Sequence, residues 1–220
     1  MEYRLIRSKR RTLAICIEKD GGVTVRAPFH MAKSIVEGFV TEKADWINEK
    51  SSLMAAREAQ RKDFRVGEGS TLPLLGREYS VMTGNSVTFD GSRFTVCEED
   101  FETVKPQLIV LYRSLAGNFI PERVSHFSEL TGWIPSGVRI GAANTSWGSC
   151  SGKNSLNFTW KLILAPPELV DYVVVHELAH TVEHNHSARF WKLVERVLPD
   201  YKQRRARLRT LAKALQSRGL

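Results

Sequence analysis

The chain has 220 residues, 42% of them hydrophobic and 25% charged, a globular balance that excludes disordered, collagen-like and fibrous classes. Its formal net charge is +8, and its three cysteines (Cys16, Cys97, Cys150) are too few and too scattered for a disulfide framework or a CxxC zinc knuckle. No apolar run approaches the roughly 20 residues that span a bilayer.

Residues 1–11 hold five basic groups and one acidic group. No apolar stretch follows them, which argues against a secretory signal; the three scattered cysteines make a reducing, cytoplasmic setting the expectation. Thr12 to Ile17 alternates, Asp20-Gly21-Gly22 supplies a turn and Val23-Thr24-Val25 returns, which predicts a β-hairpin. From Met31 to about Gln60, Ile35, Val36, Phe39, Val40, Trp46 and Ile47 recur at helical spacing with no proline between them. Phe64 to Val96 reads as β-rich, punctuated by glycine turns.

Pro106 reads as the opening of a second helix, running through Leu108, Tyr112, Leu115 and Phe119 towards breaks at Gly132 and Pro135. Val138 to Ile140 and Leu156 to Leu164 read as strands, the second from the alternation of Leu156, Phe158, Trp160, Leu162 and Leu164 with polar neighbours. Pro166-Pro167-Glu168 then starts a helix that carries Val173, Val174 and Val175 into His176. At the C-terminus, Tyr201 to Leu215 is an amphipathic helix with Leu208, Leu211 and Leu215 on one stripe, expected to pack on the body. Residues 200–220 hold seven basic groups and one acidic group, so residues 12–199 sum to −2. The basic ends are a candidate surface for weak binding of a polyanion such as nucleic acid; a solvated helix and strand is the plainer reading.

Four histidines, His176, His180, His184 and His186, fall within eleven residues and contain His176-Glu177-Leu178-Ala179-His180, an HExxH. Residues i and i+4 of a helix share one face, so His176 and His180 can converge on one metal ion, while Glu177 is placed to act on water as general base. The apolar residues around them imply a buried helix, where an unpaired imidazole is costly. His184 continues the four-residue spacing, but on a straight helix it would lie about 12 Å along the axis from His176, too far to share an ion. A third ligand must follow a turn; His186 fits, Asn185 before it tolerates a left-handed conformation, and Ser187 reads as the cap of a further helix. Glu183 is the alternative third ligand. Three neutral imidazoles with an open position suit Zn²⁺ first, with Ni²⁺, Co²⁺ and Mn²⁺ also compatible with the ligand type.

Ser146-Trp147-Gly148-Ser149-Cys150-Ser151, Leu156-Asn157, Ala165-Pro166, Asp171 to His180, Asn185-His186-Ser187, Phe190-Trp191 and Pro199-Asp200-Tyr201 together resemble the YgjP-like metal-dependent hydrolases. That family is grouped with the zincin metallopeptidases and is similar to the SprT-like and WLM families. The resemblance covers nearly the whole chain and implies His176, His180 and His186 as metal ligands and Glu177 as catalytic base. The position before Trp147, often basic in that family, is Ser146 here.

The expected fold is α+β: a zincin-like catalytic domain over 104–220, its HExxH helix packed on a small mixed or antiparallel sheet and its basic helix last, after a β-hairpin and helix subdomain over 1–103. In zincins a strand beside the active-site helix pairs with extended substrate, and Leu156 to Leu164 or Trp147 to Ser151 are the candidates for it. Ser149, Cys150, Asn157, His184, Asn185 and Tyr201 are candidate substrate or supporting residues, with Arg189 and Arg113 further possibilities for stabilising an oxyanion. A zinc metallopeptidase acting on a peptide is the first functional reading. A metal-dependent hydrolase of nucleotides or other phosphoanhydrides is the alternative, and it predicts arginine or lysine converging beside the metal. A nucleic-acid-associated protein with a structural metal is the third.

Overall fold

The computed structural model describes residues 2–63, 65–97, 99–144 and 146–217. They form two compact units, Met1–Phe64 and Arg65–Leu220. The stretch 65–103, expected with the N-terminal subdomain, therefore belongs with the second unit.

In the first unit the predicted hairpin forms from β2 (Ala14–Ile17) and β3 (Val23–Pro28), and β1 (Arg4–Ser8) joins β3 in parallel to give the order β1-β3-β2. The Arg7 guanidinium donates to the carbonyls of Pro28, Phe29 and Met31, so one of the N-terminal charges is structural. The predicted helix over 31–60 is two helices, α1 (Lys33–Glu42) and α2 (Ala44–Asp63). They part at Lys43, whose φ of −99° and ψ of 10° leave the helical region, with no glycine or proline to signal it. Val25, Ala27, Val36, Val40 and Ile47 form the core of this unit.

The second unit opens with β4 (Arg65–Val66), β5 (Thr71–Leu74), β6 (Arg77–Thr83), β7 (Thr88–Phe89), β8 (Phe94–Val96) and β9 (Glu99–Asp100). β5, β6, β8 and β7 make a four-stranded sheet in that order, and β4 pairs with β9. Helix α3 (Phe101–Thr131) begins five residues before Pro106, because the Asp100 side chain accepts from the Thr103 amide at 3.0 Å and caps it. Pro106 and Pro121 both lie inside it, and it ends at Gly132, whose φ is 75°. Its buried stripe, among them Val104, Leu108, Tyr112, Ala116 and Ile120, repeats at three or four residues and joins the sheet residues in one core. That shared core explains why the strands before α3 cannot be assigned elsewhere.

Next come β10 (Gly137–Gly141), β11 (Gly148–Cys150) and β12 (Ser155–Thr159), a sheet in the order β10-β12-β11 with β10 parallel and β11 antiparallel to β12. The strand expected to reach Leu164 stops at Thr159, and Trp160–Leu164 is a 3₁₀ turn. Ile163 occupies what alternation would make a polar position, and Trp160, Leu162, Ile163 and Leu164 are all buried, which a half-exposed strand cannot achieve. The turn docks on the β5–β6 hairpin, whose Leu75 and Gly76 amides donate to the Ile163 and Leu164 carbonyls. Gly76 has a φ of 73°, and a Cβ there would sit 2.5 Å from Pro166 Cγ, so only glycine allows this approach to the start of the next helix.

That helix, α4 (Pro167–Ala179), carries His176 and Glu177 and has nine buried residues. Arg123 of α3 holds Asp171 of α4 by two hydrogen bonds, at 2.7 and 3.1 Å, fixing one helix against the other. α5 (Ala188–Val197) and α6 (Tyr201–Ser217) complete the unit. Leu208 and Leu215 of α6 are buried in the core, as the apolar stripe predicted. The architecture is α+β, and among the described residues no helix is long and apolar enough to cross a membrane.

Candidate metal centre

α4 ends at the HExxH. Its last helical residue is Ala179, and His180 is the C-terminal cap, so the chain departs at the second histidine and His184 is not on the helix at all. The Glu183 carbonyl sits 3.0 Å from His180 Nδ1, which assigns Nδ1 as donor and leaves Nε2 as the free ligand atom. The chain then doubles back without a left-handed residue at Asn185, the described non-glycine positive φ values being at Leu75 and Asn154. Ser187 accepts from the Phe190 amide at 3.2 Å and starts α5, as its side chain foretold.

This return brings one ligand atom from each of His176, His180 and His186 to within 4.8 Å of the others. His176 Nε2 and His186 Nε2 are 3.0 Å apart, close to the roughly 3.3 Å between two nitrogens each about 2.0 Å from one tetrahedral ion. Phe190, fully buried, packs against all three rings with centroid separations of 4.9, 4.4 and 4.9 Å. Trp191 stacks on His186 at 5.6 Å and on Tyr201 at 5.3 Å. Burial, then the neighbouring His180 and His186, push the His176 pKa down to about 3. The ring is neutral at physiological pH, the form that ligates. His176 Nδ1 is buried without a hydrogen-bond partner among the described residues, so its directed contact is the one Nε2 makes. Three imidazoles converging from a helix, its cap and a loop are a donor set that fits a divalent ion.

Glu177 follows His176 on α4 and lines the same cavity. Only 6% exposed, it has its pKa raised to about 7 by burial. A Cβ on Gly148 would lie 2.7 Å from Glu177 Cγ and 2.9 Å from Oε1, so β11 rests directly on this carboxyl group. Among the described residues β11 pairs only with β12. Thr159 N–H donates to Trp147 O and Ser151 N–H donates to Ser155 O; the alternation of an antiparallel ladder then turns the backbone groups of Gly148 and Cys150 outward. Of the two strand candidates, the Trp147-to-Ser151 segment has the free edge and Leu156 onward is the centre of the sheet.

A cavity of about 240 Å³ adjoins this edge. Trp147, Gly148, Tyr172, Val173, His176 and Glu177 line one side, and Arg205, Leu208, Arg209 and Ala212 of α6 line the other. A family model for the YgjP-like metallopeptidase domain matches residues 11–211.

The chain belongs to the YgjP-like family.

This YgjP-like chain is accordingly a metal-dependent hydrolase. The crystal structure of the metallopeptidase zymogen of Pyrococcus abyssi abylysin is similar to it at 26% identity, over 42% of this chain and 93% of that one, with a TM-score of 0.39. No curated protein matches the YgjP-like chain.

The remaining candidates fall around the centre unevenly. Cys150 lies near Glu177, and burial followed by that carboxylate raises its pKa, holding the thiol protonated. Ser149 and Asn157 pair with each other across β11 and β12 on the face opposite Gly148 and are not among the cavity-lining residues. His184 and Asn185 are exposed; the His180 pKa is lowered by burial first, with His186 and His184 adding to it. Tyr201 is buried as a stacking support for Trp191. Glu183 faces Arg189 at 3.9 Å rather than the imidazoles. Arg113 is exposed on α3 and lies outside the cavity lining. Phe190 as a platform for the rings, and Tyr172, Arg205 and Arg209 as cavity residues, were missed by sequence reasoning. The signal present was that Arg205 and Arg209 share a helix face with Leu208 and Ala212.

Proposed function

We propose that the protein is a zinc metallopeptidase of zincin type, with His176, His180 and His186 as metal ligands and Glu177 as general base. The observation that carries this reading is the set of three imidazole nitrogens within 4.8 Å on one side of a buried carboxyl group, with the open edge of β11 alongside. A bound Zn²⁺ supplies Lewis acidity, acidifying water and polarising a carbonyl. An extended peptide added to β11 would hydrogen-bond the outward backbone groups of Gly148 and Cys150 and so align its scissile amide along α4. Glu177, held against β11 at Gly148, takes the proton of the attacking water on its carboxylate and returns it to the leaving amine. Its burial supports this role, since a carboxyl group shifted towards neutrality both accepts and donates.

The test is to load the protein with zinc and measure metal content and casein cleavage for the wild type and Glu177→Gln. The variant is expected to keep the metal and lose about 10²- to 10⁴-fold in kcat. Full activity in Glu177→Gln would remove the assigned base. One observation favours the phosphoanhydride reading: Arg205 and Arg209 do converge on the cavity beside His176. Hydrolysis of nucleoside triphosphates in the same assay, without casein cleavage, would replace the peptidase reading.

A further inference from the structure

Helix α6 carries arginines at 204, 205, 207 and 209, and the fold treats them in two ways. Arg204 grips Asp200 through Nε, at 2.9 Å to each carboxylate oxygen, and donates to the Glu168 carbonyl. Arg207 pairs with the Glu168 carboxylate at 2.8 Å. These two cations are neutralised and tie α6 to the first turn of α4. Arg205 and Arg209 have no acidic partner within ion-pair distance among the described residues, and both line the cavity beside His176 and Glu177. Four residues apart, they lie on one helix face.

Arg205 is also held in place. Its guanidinium lies over the Trp191 ring at 5.0 Å from the centroid, and Trp191 stacks in turn on His186. A planar cation anchored on an aromatic ring keeps its edge N–H donors free for a second, in-plane acceptor. The opposite wall supplies apolar surface from Trp147 and Val173, with Leu208 and Ala212 between and beyond the arginines. The cavity thus combines apolar lining with two guanidiniums that have no ion-pair partner among the described residues, next to the candidate general base.

We infer that Arg205 and Arg209 form a carboxylate-binding subsite that selects peptides with an anionic group next to the scissile bond. The inference rests on the peptidase reading and specifies its substrate class. Two sources present this chemistry: the side chain of Glu or Asp, whose methylenes would lie along the apolar lining, or the C-terminal carboxylate of the substrate. Arginine pairs carboxylates through two parallel N–H···O bonds, the geometry that separates a carboxylate from an amide of the same shape.

The experiment compares zinc-loaded wild type, Arg209→Gln, Arg205→Gln and Arg209→Glu on matched internally quenched peptides. The peptides carry Glu, Gln or Lys at each position flanking the cleaved bond, in C-terminal acid and amide forms. The wild type is expected to favour the anionic members by about 10- to 100-fold in kcat/KM, with the preference falling as salt rises. Arg209→Gln should bring Glu and Gln peptides to near parity with unchanged zinc content, and Arg209→Glu should shift the preference to Lys. Because Arg205 braces Trp191, zinc content is measured for Arg205→Gln as well, and Arg209→Gln carries the decision if zinc is lost there. A preference for Glu side chains or for free C-termini identifies the source.

Binding of the same peptides to zinc-loaded Glu177→Gln, by calorimetry, reads the subsite without turnover. Absent cleavage with retained anion-selective binding would sink the peptidase reading and leave the subsite standing. Equal handling of Glu and Gln peptides by the wild type, or a preference that persists in Arg209→Gln, would overturn the inference. Tighter binding of a nucleoside triphosphate than of any Glu peptide would overturn it too, and mark the pair as a phosphate site.

Discussion

Replacing Gly148 by alanine puts a methyl group where the side chain of Glu177 already is. The added Cβ would stand 2.7 Å from Glu177 Cγ, 2.9 Å from Oε1 and 3.0 Å from Cδ. Carbon atoms in contact settle at about 3.5–4.0 Å, so the carboxyl group or strand β11 must give way by roughly 1 Å. Glu177 is packed among the buried residues of α4, while β11 is a three-residue edge strand, so the two share the shift. A misplacement of about 1 Å in a catalytic group costs on the order of 100-fold in rate, equivalent to about 2.7 kcal/mol of transition-state stabilisation. The three atoms nearest the added Cβ all belong to Glu177, so zinc stoichiometry and affinity should be unchanged. The assay is kcat on a quenched peptide beside metal content by atomic absorption, for Gly148→Ala, Glu177→Gln and the double variant. Both substitutions act through one carboxyl group, so the double variant should be no slower than Glu177→Gln alone. Wild-type kcat in a fully zinc-loaded Gly148→Ala would show that β11 does not position Glu177.

His186→Ala removes the proposed ligand that lies outside α4 and its cap; zinc affinity should fall by more than about 100-fold, beyond the usual loss from an outer partner, in a competitive chelator titration. Phe190→Ala opens a void against all three imidazoles and should cost about 3–5 kcal/mol in urea unfolding, with zinc affinity falling alongside; a loss below 1 kcal/mol would deny it a packing role. Tyr112 is fully buried, donates to the Pro73 carbonyl at 2.8 Å, and has its pKa raised by burial. Above about pH 10 the unfolded chain releases this proton and the folded protein keeps it, so stability should fall with rising pH by up to about 1.4 kcal/mol per unit. Tyr112→Phe should lessen that slope in thermal melts between pH 9.5 and 11; an identical slope in both proteins would contradict the assignment.

The histidine cluster was legible because its spacing is a local property. Two histidines one helical turn apart need no tertiary information, whereas His184 lies outside the cluster because α4 has already ended at Ala179, not because of the rise of a straight helix. His186 was reachable because Ser187 announces a new helix and hence a turn before it. What was not legible depends on partners distant in sequence. Ser149 and Asn157 looked like cleft residues until the register of β11 on β12 turned them to the opposite face. Pro106 reads as a first-turn proline; that it is the sixth residue of α3 depends on Asp100 capping Thr103 and on a long buried stripe that outweighs a missing hydrogen bond. The basic C-terminal helix looks uniform in sequence, and only contact with Asp200 and Glu168 separates its two structural arginines from the two left facing the cavity.

The brevity of β11 bears on self-association. A strand edge that can recruit an extended substrate can equally recruit another copy of the chain, and exposed edges are where sheets grow into aggregates. Here the open ladder is three residues long and begins with a glycine, which contributes no side chain to a cross-strand pair. Such a ladder offers too few hydrogen bonds to hold a neighbouring molecule by itself. Lasting attachment would require an occupant that also fills the adjoining cavity. Among the described residues, the unpaired edge of β11 is therefore too short to carry polymerisation by itself.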